Sequence, residues 1–284
     1  MLKKIFFAAA LLLASELIAK PVVIASIAPV GYLAKAVGGD KIEVQSLAKG
    51  DVHSYEPKPN DMKAVAKARI FIAAGLEFEE AWIPRFKASA KNLVVVQSDA
   101  KIAKLKEERG EQAEHDEKHE AHADPHVWLN PMLAITMARN ISDALIDMDK
   151  ANKDFYLENF QKLMNDLLAF DESAKNELAG LKNRKFVVYH PAWGYFAAHY
   201  DLEQISIERS GKEPKIDEMA STLKMIKDEN IKVIFADPNR SQKSAQILAS
   251  QTGAKVELLD PLGYNLLENL KIAVGAIKDA NSPK

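Results

Sequence analysis

The sequence predicts an α/β protein whose two domains, each with a parallel sheet, are joined by one long helix. Two observations lead to this prediction. Short apolar runs alternate with helical patterns on both sides of residues 152–180, and such alternation is typical of parallel sheets. Within 152–180, apolar residues recur every three or four positions over a length that no other helical pattern in the chain reaches. The predicted boundaries are 1–19 for a signal peptide, 20–151 for the N-terminal domain, 152–180 for the linker helix and 181–284 for the C-terminal domain.

Residues 1–19 have the pattern of a secretory signal peptide. Lys3 and Lys4 precede an apolar run that is too short to span a bilayer, and a plausible cleavage site follows Ala19. The chain has no cysteine, so it lacks disulfides and also lacks the cysteine that a lipid anchor modifies. We therefore expect a freely diffusing protein of the periplasm.

In the N-terminal domain, the β-branched run 21–27 predicts a buried strand, and the helical pattern 30–37 ends at Gly38 and Gly39. The segment 51–59 contains two prolines, which exclude a regular helix or a central strand. Further strands are predicted over 42–47, 69–73 and 93–96, and further helices over 61–68, with Asn60 as its N-cap, and over 132–148.

The alternation of strands and helices restarts after the linker helix. Strands are predicted over 186–189, 203–207, 233–236 and 256–259, and helices over 192–199, 217–230, 244–252 and 266–277. Residues 97–125, in contrast, carry much charge and little periodicity. Long connections of this kind are functional loops or disordered, and we expect disorder here in the absence of metal.

The acidic stretch 113–131 contains four of the seven histidines of the chain. These are His115, His119, His122 and His126, with carboxylates between them. Imidazole nitrogens and carboxylate oxygens suit a borderline divalent ion such as Zn²⁺. Because His126 lies between Pro125 and an apolar run, we expect it to be a fixed ligand. The other three belong to a His-rich acidic loop, 104–124, which is either a source of weak metal sites or a solvated spacer.

Three residues elsewhere in the chain are candidates to bind the same ion. His190 and Asp260 each directly follow a predicted strand, and open α/β sheets bind ligands beyond the carboxyl ends of their strands. His53 and His126 would contribute from the N-terminal domain. Three imidazoles and one carboxylate would then form a four-coordinate Zn²⁺ site in the crevice between the domains.

Each candidate also has a purely structural interpretation. A single histidine in a loop is commonly a surface residue, and an Asp-Pro pair after a strand is commonly a turn. A shared site is favoured because all four candidates lie near prolines at the ends of elements. We further expect Asp237 to support the ligands, His199 to be structural, and Glu77, Glu79 and Glu80 to face the solvent.

Four motifs occur along the chain in a specific order: HSYEPKPND from His53, DPHVWLNP from Asp124, YHPAWGYF from Tyr189 and LDPLG from Leu259. In these motifs the chain resembles the solute-binding proteins of zinc and manganese ABC transporters, in particular the periplasmic zinc-uptake type called ZnuA. The resemblance covers essentially the whole mature chain. It implies two Rossmann-like α/β domains, a rigid linker helix and an ion bound between the domains. The chain departs from the family pattern at Asn130, where an aspartate often stands.

The resemblance also implies a cargo and partners. Manganese members usually have a glutamate where this chain has His190, and a third imidazole favours zinc. We therefore expect capture of Zn²⁺ and its delivery, without chemical turnover, by a monomer to a membrane permease with its cytoplasmic ATPase. Manganese or iron is the alternative cargo. The net charge of −2 provides no basic surface for nucleic acid or an anionic membrane.

An exported zinc hydrolase is the alternative from a different class of protein. Such an enzyme needs an open coordination position and a general base. The chain has no H-E-x-x-H pair, no G-x-S-x-G elbow and no cysteine nucleophile, so the motifs favour a binding protein. The sequence neither supports nor excludes a surface adhesin.

Overall fold

The computed structural model describes residues 20–106, 123–208 and 216–281. The predicted signal peptide and the three loop histidines His115, His119 and His122 lie outside these ranges. Within them, two four-stranded parallel sheets form, each covered by helices, which confirms the predicted α/β architecture. None of the helices described combines the length and apolar character that crossing a bilayer requires.

The first sheet has the strand order β2 (Glu43–Ala48), β1 (Val22–Ile27), β3 (Ile70–Ala73) and β4 (Val94–Gln97), with every pair parallel. Its central strands β1 and β3 are almost completely buried, as expected of apolar runs that helices cover on both faces. The elements of this half are β1 Val22–Ile27, α1 Ala28–Gly38, β2 Glu43–Ala48, α2 Pro59–Val65, β3 Ile70–Ala73, α3 Glu77–Ser89, β4 Val94–Gln97 and α4 Pro131–Met148.

The second sheet repeats this topology with the order β6 (Glu203–Ser206), β5 (Lys185–Val188), β7 (Val233–Ala236) and β8 (Lys255–Leu258). In both sheets the strand order reverses beside the first strand, and ligands bind at such points beyond the carboxyl ends of the strands. The elements are α5 Lys153–Leu178, β5 Lys185–Val188, α6 Gly194–His199, β6 Glu203–Ser206, α7 Ile216–Asp228, β7 Val233–Ala236, α8 Lys243–Thr252, β8 Lys255–Leu258 and α9 Leu266–Asn281.

Helix α5 joins the two halves, as predicted. One face of its 26 residues is buried, because it packs on α1 and α4 of the first half and on α9 of the second. Full burial of a leucine or phenylalanine contributes about 1.5–3 kcal/mol, so this face ties both halves to the helix. Its buried Asp171 also binds the imidazole Nε2 of His199 at 2.6 Å, which gives that histidine a structural role away from the crevice.

The structure differs from the sequence-based expectations around the segment that follows β3. Helix α3 was not predicted, and its internal Pro84 interrupts the helical signal. Within this helix Glu79 is buried, contrary to the expected solvent exposure, because its carboxylate accepts the N–H groups of the loop between β3 and α3. The donors are Ala74 at 2.8 Å, Gly75 at 2.8 Å and Leu76 at 3.0 Å.

Helix α2 also begins differently from the expected start. It starts at Pro59 instead of following an Asn60 cap. Proline is favourable in the first turn, since its missing N–H would have no partner there. The Asp61 carboxylate accepts the backbone N–H of Lys58 at 2.8 Å, and this contact fixes the end of the preceding loop.

Candidate metal centre

Three imidazoles come together between the two halves. The ring centroids of His53, His126 and His190 are separated by 5.5 Å (53 to 126), 5.1 Å (53 to 190) and 5.3 Å (126 to 190). One nitrogen of each ring lies within 4.8 Å of the nitrogens of the other two. A tetrahedral zinc ion holds its nitrogen ligands about 3.4 Å apart, so small side-chain movements allow all three to share one ion.

Each imidazole reaches the crevice from the end of an element. His53 lies in the loop between β2 and α2, and His190 follows β5 by two residues. His126 immediately precedes a short 3₁₀ turn in which Trp128 is completely buried. The indole N–H of Trp128 donates to the carbonyl of Pro261 at 2.8 Å, so the His126 segment is attached to the second half.

Two of the imidazoles bind a buried carboxylate through their Nδ1 atoms. The distances are 2.7 Å from His126 to Asp124 and 2.8 Å from His190 to Glu208. A carboxylate at this position accepts a hydrogen bond from the Nδ1–H group and so fixes the tautomer in which Nε2 carries a free lone pair. This arrangement, typical of metal-binding histidines, directs both Nε2 atoms towards a common ligand.

Glu208 is a further candidate site residue, which is absent from the sequence-based predictions. It lies two residues beyond β6, which pairs with β5, and its backbone N–H donates to the carbonyl of Tyr189 at 2.8 Å. Its position just past a strand end is the signal that could have identified it. Burial raises the pKa of Glu208, whereas the guanidinium of Arg240 lowers it.

The third imidazole has a nitrogen available for an ion. Among the described residues, no hydrogen-bond partner contacts the buried Nε2 of His53. Burial, together with the neighbouring imidazoles of His126 and His190, lowers the pKa of His53 to about 3. Burial likewise holds the pKa of His190 well below its ordinary value. Both rings are therefore neutral near pH 7, which is the state that binds metal.

Asp260 does not belong to this group of donor atoms. Its carboxylate Oδ1 accepts from the Asn239 side chain at 2.8 Å and from the Leu262 N–H at 2.9 Å. The same Asn239 amide donates to Asp237 at 3.0 Å, so these carboxylates form one polar cluster near the site. The role of Asp260 as a fourth ligand remains a prediction.

A cavity of about 200 Å³ lies beside His126 and His190. Lys106 and Asp124 also line it, and Lys106 forms an antiparallel bridge with Ala123, so the described residues at both ends of the acidic loop lie beside this cavity. A larger cavity, of about 680 Å³, lies at the opposite end of the second sheet and is lined by none of the candidate ligands. The smaller cavity is thus the one relevant to metal binding.

Comparison with known proteins gives consistent matches over nearly the whole chain. Residues 23–280 match the family model of ZnuA, described as the periplasmic component A of a zinc-uptake complex. The high-affinity zinc uptake system protein ZnuA of Bacillus subtilis is 30% identical over 279 residues, covering 91% of this chain and 86% of that protein. The zinc-binding protein AdcA of Streptococcus pyogenes is 31% identical over 285 residues, covering 91% of this chain but only 54% of that longer protein.

Solved structures agree with the sequence matches. A crystal structure of ZnuA superimposes with a TM-score of 0.87 at 35% identity, covering 93% of this chain and 100% of that one. The similarity therefore extends over both halves and the helix between them.

Proposed function

Because the chain belongs to the ZnuA family of metal-binding solute-binding proteins, we propose that it captures Zn²⁺ in the periplasm and delivers it to an ABC transporter permease. The family consists of binding proteins, so the chain is not an enzyme. The observation that carries the proposal is the group of three imidazoles that converge between the halves, two of which, His53 and His190, have lowered pKa values. Such a site binds an ion without changing it chemically.

In this proposal His53, His126 and His190 provide three nitrogen ligands, and Asp260 provides the fourth. The half-buried position of Asp260 supports this role. To bind the ion, its carboxylate must give up the hydrogen bond that it accepts from the Asn239 amide. Four protein ligands leave no position for a reactive water, in contrast to catalytic zinc sites. The set favours zinc over manganese, because manganese prefers oxygen ligands.

Metal content measured by mass spectrometry tests the proposal directly. The mature apo-protein is offered equal amounts of zinc and manganese, dialysed exhaustively and compared with His190→Ala. We expect the wild type to retain about one zinc ion per chain and the variant to retain clearly less. Retention of manganese would overturn zinc as the cargo, and loss of metal from both proteins would overturn the three-histidine site.

The acidic loop has a separate role in the proposal, which is to raise the local zinc concentration through His115, His119 and His122. Lys106 lines the cavity beside two of the ligands and forms a bridge with Ala123, and this position of the described loop residues supports the role. Deleting residues 111–122 should remove weak zinc binding and leave the tight site intact. Loss of the tight site in this variant would refute the separation of the two roles.

Delivery requires the permease, with its cytoplasmic ATPase, to accept the ion from a monomeric binding protein. The linker helix packs on both halves, which favours small movements during release over wide opening of the crevice. Small-angle scattering should therefore show nearly equal radii of gyration with and without zinc. A large compaction on zinc binding would contradict this part of the proposal.

A further inference from the structure

We propose that Arg240 is a positioning residue that holds the His53 loop, residues 51–58, against the second half and thereby slows the release of zinc. The inference rests on the proposed function, since it assigns a role to residues around the same ion. We call the contacts Glu208–Arg240–Asp51 the arginine bridge.

The arginine bridge joins the two halves of the molecule. Arg240 lies between β7 and α8, and its Nη1 donates to both carboxylate oxygens of Glu208, at 2.8 and 3.0 Å. Its Nη2 donates to Asp51 of the first half at 2.8 Å. The guanidinium side chain is only 14% exposed, and its planar fork suits two carboxylates at once. The ammonium group of a lysine is a point charge and lacks this fork geometry.

Both ends of the arginine bridge contact zinc-ligand residues. Glu208 binds the Nδ1 of His190, as described above. Asp51 accepts the backbone N–H of His53 at 3.2 Å and the hydroxyl of Ser54 at 2.9 Å. A continuous series of hydrogen bonds and ion pairs therefore leads from one ligand to another across the crevice.

The three ligands differ in how they are attached. His126 has the Asp124 carboxylate, and its segment is fixed to the second half by Trp128 and by the Tyr195 hydroxyl, which donates to the Asp124 carbonyl at 2.8 Å. His190 belongs to the second half itself. The His53 loop has no regular secondary structure, and its ion pair with Arg240 connects it to the other two ligands.

The arginine bridge therefore controls the ligand that can separate most easily from the other two. Loss of one end should raise the rate of zinc dissociation, since changes within one binding site act mainly on the dissociation rate. Hydrogen bonds between charged groups predict that the dissociation rate rises at least tenfold when one is lost. Because Asp51 is partly exposed, we expect an increase at the lower limit, about tenfold.

The test measures zinc release into an excess of a chelating dye by stopped-flow fluorescence. The main variant is Asp51→Asn, which removes the charge facing Arg240 but keeps an oxygen that can accept the His53 N–H. Glu229→Gln is the matched control, because Glu229 pairs with Lys185 at similar exposure (41%, against 38% for Asp51) and far from the ligands. We expect about tenfold faster release from Asp51→Asn and an unchanged rate for the control.

A second pair of variants separates positioning from a general structural effect. Asp51→Asn is combined with His53→Ala, and its release rate is compared with that of His53→Ala alone. If Asp51 acts through His53, the added substitution leaves the rate unchanged. Equal acceleration with and without His53 would overturn the inference, as would an unchanged rate in Asp51→Asn alone. A wild type that retains no zinc would instead overturn the proposed function.

Discussion

The contact between Glu208 and His190 allows a quantitative prediction for Glu208→Gln. The native carboxylate is 4% exposed and accepts the Nδ1–H of His190 at 2.8 Å. Glutamine preserves the shape but removes the charge that makes the imidazole a stronger ligand, and its amide N–H₂ can impose the wrong tautomer. Loss of such a partner weakens metal affinity by about 10- to 100-fold, which corresponds to about 1.4–2.7 kcal/mol.

Zinc affinity in this experiment is measured by competition with a chelator of known affinity, at pH 7.5. Glu229→Gln again serves as the control, because it removes a carboxylate that has no contact with the site. Thermal unfolding of both apo-variants checks that the fold is retained. An affinity for Glu208→Gln within twofold of the wild type would refute the reasoning that this carboxylate orients His190.

Three further predictions concern stability. The apo-protein should lose stability as the pH falls below about 6.5, because His53 and His190 bind protons there in the unfolded chain. In the folded protein both rings have lowered pKa values, about 3 for His53, and stay neutral over this range. For His53 the loss is about 1.4 kcal/mol at pH 5.5. Urea midpoints measured between pH 7.5 and 5 should show this loss, and it should be smaller in His53→Gln, where His190 still contributes. Zinc at 100 times its dissociation constant should stabilise the fold by about 2.7 kcal/mol, and a chelator should reverse the shift in calorimetry. Leu167→Ala on the buried face of α5 should cost about 2–5 kcal/mol in urea denaturation, whereas Leu168→Ala, at a position 40% exposed, should change stability little.

Periodicity and apolar runs were sufficient to predict most of the fold. The strands β1 and β3 are continuous apolar runs because both of their faces are buried. Helix α5 has an apolar residue every three or four positions because one of its faces is buried. Helix α3 was missed because Pro84 lies inside it. Glu79 could not be recognised as buried, since only the folded loop shows three N–H groups converging on its carboxylate.

The candidate site was partly accessible from the sequence because histidines at strand ends are visible without knowing which strands pair. Glu208 also lies just past a strand end, but only the register of the pairing shows that it is the neighbour of His190. Val188 of β5 lies opposite Ser206 of β6, so the residues two positions further along, His190 and Glu208, also become neighbours. A shift of one residue would direct the Glu208 side chain to the other face of the sheet and leave His190 without its carboxylate. The register of β5 and β6 therefore shapes the candidate metal site, and substitutions that disturb this strand pair should weaken zinc binding even when they lie outside the crevice.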